Sequence, residues 1–214
     1  MILAAPRVSD LHDAAAIFSG FTNTEGSWLA FLELTRPDAD LSLAGHRAAL
    51  LRWLNSWGCR IRYAREGEPA LFDDGIAAWW ARWSGSLPAA SMYRLGDDEI
   101  DRLAAAYAPL AAIPVTAGRA ARTLGPTAAA KTLYALRPEA VMPWDAAIAA
   151  RLHGGRDAAA FARHLRMGRD WAAAVLAEAG VSERELPAVV GRPGVSLAKV
   201  LDEYCYIRIT YLHS

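Results

Sequence analysis

The chain has 214 residues, equal numbers of basic and acidic side chains (23 of each), and 54% hydrophobic residues. This length allows one large domain or two small ones, and the apolar fraction excludes a disordered chain. No run of about 18 apolar residues is present, the first residues lack a signal-peptide pattern, and two isolated cysteines make neither a disulfide framework nor a zinc site. The sequence therefore predicts a soluble cytoplasmic protein with no membrane partner, no metal and no cofactor.

The hydrophobic pattern is helical almost throughout, in keeping with 46 alanines. Helices are predicted, in chain order, over 10–19, 24–35, 44–57, 73–83, 97–108, 117–124, 127–137, 145–152, 157–167, 170–179, 182–190 and 196–207. Short strands are indicated only at 60–64 and 70–72. The predicted fold is all-α, with two lobes and at most a minor strand pair. A Trp-rich helical lobe spans 1–100, and a second lobe with a closing C-terminal helix spans 101–214, the two forming one compact unit.

Seven aromatic residues gather in the first lobe, and two pairs of them are spaced i, i+4. Each pair, Trp53/Trp57 and Trp79/Trp83, shares one helix face, which is typical of core packing. Arginines lie among these rings, so stacking on nucleic-acid bases is the alternative. The full set is Trp28, Phe31, Trp53, Trp57, Trp79, Trp80 and Trp83.

The basic residues are distributed unevenly, both in type and in position. The chain has 21 arginines and only two lysines, Lys131 and Lys199, and lysine alone can lose its proton to become an amine nucleophile. Between Arg102 and Arg169, ten basic residues stand against three acidic ones. Such a stretch indicates contact with a phosphate backbone, although solvated arginines on helix faces explain the count equally well.

A tight turn between two predicted helices is the first candidate for nucleic-acid contact. It covers Leu124-Gly125-Pro126-Thr127, between the predicted helices 117–124 and 127–137. Glycine lets a backbone approach closely, and the N–H groups at a helix N-terminus bind phosphate. The sequence therefore predicts DNA-binding roles for Gly125 and Thr127, and for Arg119 and Arg122 on the preceding helix.

Lys131 and Asp145 are the candidate chemical groups that follow this turn. Lys131 lies opposite the apolar face of its helix, beside small neighbours that leave room for a substrate, or else it is simply solvated. Asp145 precedes an Ala-rich helix and is predicted to be its N-cap. A capping carboxylate has a fixed position and lies at the positive end of the helix, which suits a group that stabilises a cation.

In the stretch from Leu124 to His153, a lysine follows the hairpin and a Pro-x-Asp motif comes after it. This pattern resembles the helix-hairpin-helix DNA glycosylases, particularly the 8-oxoguanine DNA glycosylase type. The resemblance implies that the hairpin grips the DNA backbone through its amides. It also implies that Lys131 attacks the sugar C1′ of a flipped-out nucleotide and that Asp145 supports the positive charge that develops. Trp144, Tyr204 and Tyr206 would then belong to the base pocket, although packing is the alternative role for the tyrosines.

The function that follows is a DNA glycosylase, with lyase activity, acting as a monomer on double-stranded DNA that contains a modified or oxidised base. The alternative is a catalytically silent module of the same fold that binds nucleic acid or protein. A single glycine in the hairpin and a net charge of zero favour that alternative. A third possibility is an enzyme of this fold recruited to a nucleoside or to modified phage DNA. Whether the Lys131 amine opens into a cavity discriminates between the first two.

Overall fold

A computed structural model describes residues 3–20, 22–118 and 121–212, without the side chains of 22–25. The described helices are α1 Val8–Phe18, α2 Thr22–Leu34, α3 Ala44–Ser56, α4 Leu71–Trp83, α5 Asp97–Ala111, α6 Gly125–Leu136, α7 Ala146–His153, α8 Ala158–Ala179, α9 Leu186–Val189 and α10 Leu197–Cys205. Single 3₁₀ turns follow α4 and precede α5, and a π-helical segment, Tyr206–Tyr211, continues α10. The all-α class is confirmed.

Two short strands lie between α5 and α6. β1, Pro114–Thr116, pairs antiparallel with β2, Arg122–Thr123. The backbone N–H of Leu124 donates to the carbonyl of Ile113 at 2.8 Å, and this bond fixes the start of α6 against the end of α5. The predicted helix over 117–124 is therefore wrong in its described part, because the segment pairs across a turn instead of coiling.

Other elements also differ from the sequence prediction, and the predicted helix 182–190 is reduced to α9, Leu186–Val189. Residues 60–64 form no strand, and Leu71 begins α4 where a strand was predicted. The predicted break between 167 and 170 is absent, since α8 runs through Gly168. A methyl group at Gly168 would lie 3.0 Å from the sulfur of Met92, so the glycine allows close packing rather than ending the helix.

Buried side chains from both halves of the chain form one continuous hydrophobic cluster. Trp53 and Trp79 belong to it, as the i, i+4 spacing predicts, and the indole N–H of Trp79 donates to the Ala106 carbonyl. No helix in the described ranges is both long enough and apolar enough to cross a membrane.

The last helix passes through the interior. All nine residues of α10 are buried, and the helix packs on α1 and α8, while the π-helical segment packs on α7. An entirely buried helix ordinarily carries apolar side chains only. α10 includes three charged ones, Lys199, Asp202 and Glu203, which require partners within the protein.

Candidate active site

Helix α6 presents Lys131 to the end of α3. Pro126 occupies the first turn of α6, where its missing N–H costs nothing. Lys131, half-buried one and a half turns later, donates from Nζ to the carbonyl oxygen of Trp57 at 2.6 Å. Trp57 is the C-cap of α3, so the amine satisfies a carbonyl at the negative end of that helix. The alternative of a lysine pointing into bulk water is excluded.

The Lys131 amine opens into a cavity of about 370 Å³, a size typical of small-molecule sites. Aromatic rings form much of its wall, and four charged side chains reach it, two of each sign. The lining residues are Phe18, Ser56, Trp57, Gly58, Lys131, Pro143, Trp144, Asp145, Ile148, Lys199, Asp202 and Tyr206. Of the residues predicted from sequence, this cavity brings together Lys131, Asp145, Trp144 and Tyr206.

Asp145 is the N-cap of α7, as predicted. Its Oδ1 accepts from the backbone N–H of Ile148 at 2.8 Å, and its Oδ2 accepts from the hydroxyl of Thr210 at 2.8 Å. Both carboxylate oxygens thus hold a donor, which fixes the side chain in one orientation at the cavity wall. This arrangement suits electrostatic support of a nearby positive charge.

Trp144 is placed by a buried set of rings behind the cavity. Its indole contacts Tyr107, Phe161, His153 and His164, with ring centroids 5.1 to 6.0 Å apart. The two histidines are joined by a 3.0 Å contact between Nε2 of His153 and Nδ1 of His164. Burial lowers the pKa of His153 to about 4 and that of His164 to about 3, so both are neutral at pH 7.

Lys199, which the sequence prediction did not assign to the site, is a second basic residue that lines the same cavity. Nζ of Lys199 lies 2.6 Å from Oδ2 of Asp202 and 3.8 Å from Oε1 of Glu203. Arg192 holds Glu203 through two bonds of 2.7 and 2.8 Å. The ring of Trp57 contacts both lysines, with Lys199 Nζ at 4.9 Å and Lys131 Nζ at 5.3 Å from its centroid. The rarity of lysine in this chain was the signal that could have found Lys199.

The two lysines stand in opposite environments. Carboxylates contact Lys199, whereas the polar contact of Lys131 is a neutral carbonyl. Burial lowers the pKa of Lys131, and the charge of Lys199 acts in the same direction, against the opposing effect of Cys59, Asp202 and Asp145. Lys131 is therefore the better nucleophile of the two.

The other predicted site residues lie elsewhere. Tyr204 is buried against Trp171, with ring centroids 6.0 Å apart, so the packing role applies to it. Arg122 is exposed on β2, and Gly125 and Thr127 begin α6. Gly125 has a φ of 81°, a left-handed conformation that favours glycine.

Arg119 lies outside the described residues. Within the described ranges, no group of three His, Cys, Asp or Glu side chains is arranged to hold a metal ion. Comparisons with protein-family models, with curated proteins and with solved structures found no match.

Proposed function

We propose that the protein is a DNA glycosylase with lyase activity and that its fold is of the helix-hairpin-helix glycosylase type. One observation carries the proposal: the half-buried Lys131 amine opens into an aromatic-walled cavity that also exposes the capping carboxylate Asp145. A cavity of about 370 Å³ offers room for a flipped-out base. The resemblance of residues 124–153 to this class implies these roles for the same two side chains.

The proposed reaction follows from the surroundings of Lys131 and Asp145. The neutral Lys131 amine attacks C1′ of the flipped nucleotide, and the bond from C1′ to the base breaks, so the base leaves with the electron pair. Asp145, fixed by Ile148 and Thr210, stabilises the positive charge that develops on the sugar. The resulting Schiff base acidifies the C2′ proton, and β-elimination then cleaves the strand on the 3′ side.

Exposed arginines on α7 and directly after it offer contacts for phosphates. Arg151 lies on α7, the helix that Asp145 caps, and Arg156 follows that helix. The hydroxyl of Tyr107 donates to the carbonyls of Arg156, at 2.9 Å, and Pro126, at 3.3 Å, so the N-terminus of α6 lies beside Arg156. Basic side chains and helix N–H groups together suit a DNA backbone.

A second candidate function is a binding module without catalysis. The observation that favours it is the β1–β2 ribbon, which replaces the first helix of the predicted hairpin. Of the predicted hairpin, the N-terminus of α6 alone would then offer helix amides to DNA. Such a module would bind nucleic acid, or a protein, whether or not Lys131 is present.

Borohydride trapping separates the two candidates. Duplexes bearing an abasic site, 8-oxoguanine, uracil, an oxidised pyrimidine or hydroxymethylcytosine are incubated with the protein and reduced. We expect a covalent adduct with wild type, loss of the adduct in Lys131→Gln, and its retention in Lys199→Arg, which leaves Lys131 as the chain's one lysine. The abasic duplex tests the amine chemistry independently of base recognition.

Peptide mapping assigns the reacting amine. Cleavage after arginine leaves the Arg137–Pro138 bond intact, so Lys131 lies in the peptide 123–151, well apart from Lys199. An adduct in that peptide supports the glycosylase. Salt-dependent DNA binding that persists in Lys131→Gln, with no adduct on any duplex, refutes the glycosylase and supports the binding module.

A further inference from the structure

The cavity holds a second carboxylate, Asp202, whose environment differs from that of Asp145. Both oxygens of Asp145 accept hydrogen bonds, whereas among the described residues Lys199 engages only Oδ2 of Asp202. Asp202 lies on the buried helix α10 and is 8% exposed, at the face that lines the cavity. Its Oδ1 therefore holds no donor among the described residues, and Asp202 lines the same cavity as Lys131.

Burial sets the proton affinity of this carboxylate. Desolvation raises the pKa of Asp202 and the nearby Asp145 acts in the same direction, while Lys199 and Lys131 oppose them. Glu203 and the buried Tyr134 and Cys205 are further titratable groups that respond to its charge. A carboxylate whose pKa is raised by burial is well suited to carry a proton near neutral pH.

We propose that Asp202 relays the proton that Lys131 releases, and that Lys199 positions Asp202 for this role. The inference rests on the proposed glycosylase function. As the bond from Nζ to C1′ forms, the Asp202 carboxylate accepts a proton from Nζ. The bond from C1′ to O4′ then breaks, the Nζ electron pair completes the iminium, and Asp202 returns the proton to O4′. The departing base anion takes its own proton from water.

Removing the carboxylate while keeping its shape tests the relay. In Asp202→Asn, the side-chain oxygen still accepts from Lys199 but takes no proton. We expect the single-turnover rate of base excision to fall by about 10²-fold or more. The wild-type rate should decline at low pH as Lys131 becomes protonated, and more steeply where Asp202 becomes protonated as well. The variant should keep the first decline and lose the second, steeper one. Asp13→Asn, which alters an exposed carboxylate on α1, should change neither.

A second measurement needs no DNA. Because the chain has two lysines, protein labelled with ¹³C at the lysine ε-carbon gives two signals, assigned with Lys199→Arg. Loss of the Asp202 charge should lower the titration midpoint of Lys131, since that charge favours the ammonium form. Thermal unfolding of each variant verifies that the fold is retained.

The outcomes separate the relay from the glycosylase. Adduct formation at Lys131, together with an equally steep decline in rate at low pH in Asp202→Asn and wild type, refutes the relay and leaves the glycosylase standing. An unchanged Lys131 titration in that variant also refutes the relay. Absence of an adduct with wild type on every duplex refutes both.

Discussion

Acidification should destabilise the protein through the buried histidine behind the cavity. His164 is fully buried, and its Nε2 lies 3.4 Å from the Pro143 carbonyl while its Nδ1 faces Nε2 of His153. In the consistent tautomer, Nε2–H of His164 donates to Pro143, and Nδ1 accepts from His153. A proton added at Nδ1 would place two donors against each other and a charge in the core.

The size of this loss of stability follows from the difference between the pKa values of His164 in the folded and unfolded chain. The folded-state pKa of His164 is about 3, against 6.5 for an ordinary histidine. Its stabilising contribution is fully present above pH 6.5 and is lost as pH falls toward 3, because only the unfolded chain then binds the proton. Each pH unit within that window costs about 1.4 kcal/mol, so pH 4.5 costs about 2–3 kcal/mol. His153 contributes with the same sign.

Urea unfolding at pH 7.0 and pH 4.5 measures this loss. His164→Gln keeps one donor and one acceptor without titrating, so its free energy of unfolding should fall by about 2–3 kcal/mol less than that of wild type over the same interval. His12→Gln, at an exposed position on α1, should match wild type. Carboxyl groups titrate equally in all three proteins and cancel in the comparison. Equal losses in wild type and His164→Gln would refute the reasoning.

Two further predictions concern Asp145 and the packing of α4. Asp145→Ala should lower the free energy of unfolding by about 1 kcal/mol and abolish adduct trapping. Asp157→Ala removes the matching cap of α8, so it should lower stability by a similar amount and leave trapping intact. Equal trapping in the two variants would contradict a chemical role for Asp145. Gly75→Ala should destabilise by about 1–3 kcal/mol in thermal unfolding because its new methyl group would clash with Ile113. Gly26→Ala, on α2 with open space around it, should instead stabilise, and a similar loss there would contradict the packing argument.

Local signals account for the parts of the site that the sequence predicts correctly. Pro126 at the first turn predicts the start of α6, and Asp145 before an Ala-rich run predicts the start of α7, each to within a residue or two. The segment 117–124 fails because its helix propensity is weaker than its tertiary contacts. The N–H of Arg122 donates to the Thr116 hydroxyl, and the chain turns at Gly118, whose φ is 79°.

Long-range contacts account for what the sequence leaves out. Lys131 and Trp57 are 74 residues apart, so nothing local predicts that the amine meets the end of α3. Lys199 and Asp202 have the i, i+3 spacing of an ordinary surface ion pair on a helix. Their burial depends on α1 and α8, which cover α10. Spacing therefore identifies the pair but not its place in the cavity.

The choice between lysine and arginine links the composition to the proposed chemistry. At the surface, Arg166 and Arg169 pair with Asp97, where a permanent charge is sufficient. Both lysines of the chain line one cavity, and a bias toward arginine explains their rarity but not their common location. Lys199 lies against carboxylates, which an arginine could also satisfy. Lys131 lies in a partly desolvated position against a neutral carbonyl. The proposed attack on carbon requires a side chain there that releases its proton, and an arginine could not replace it.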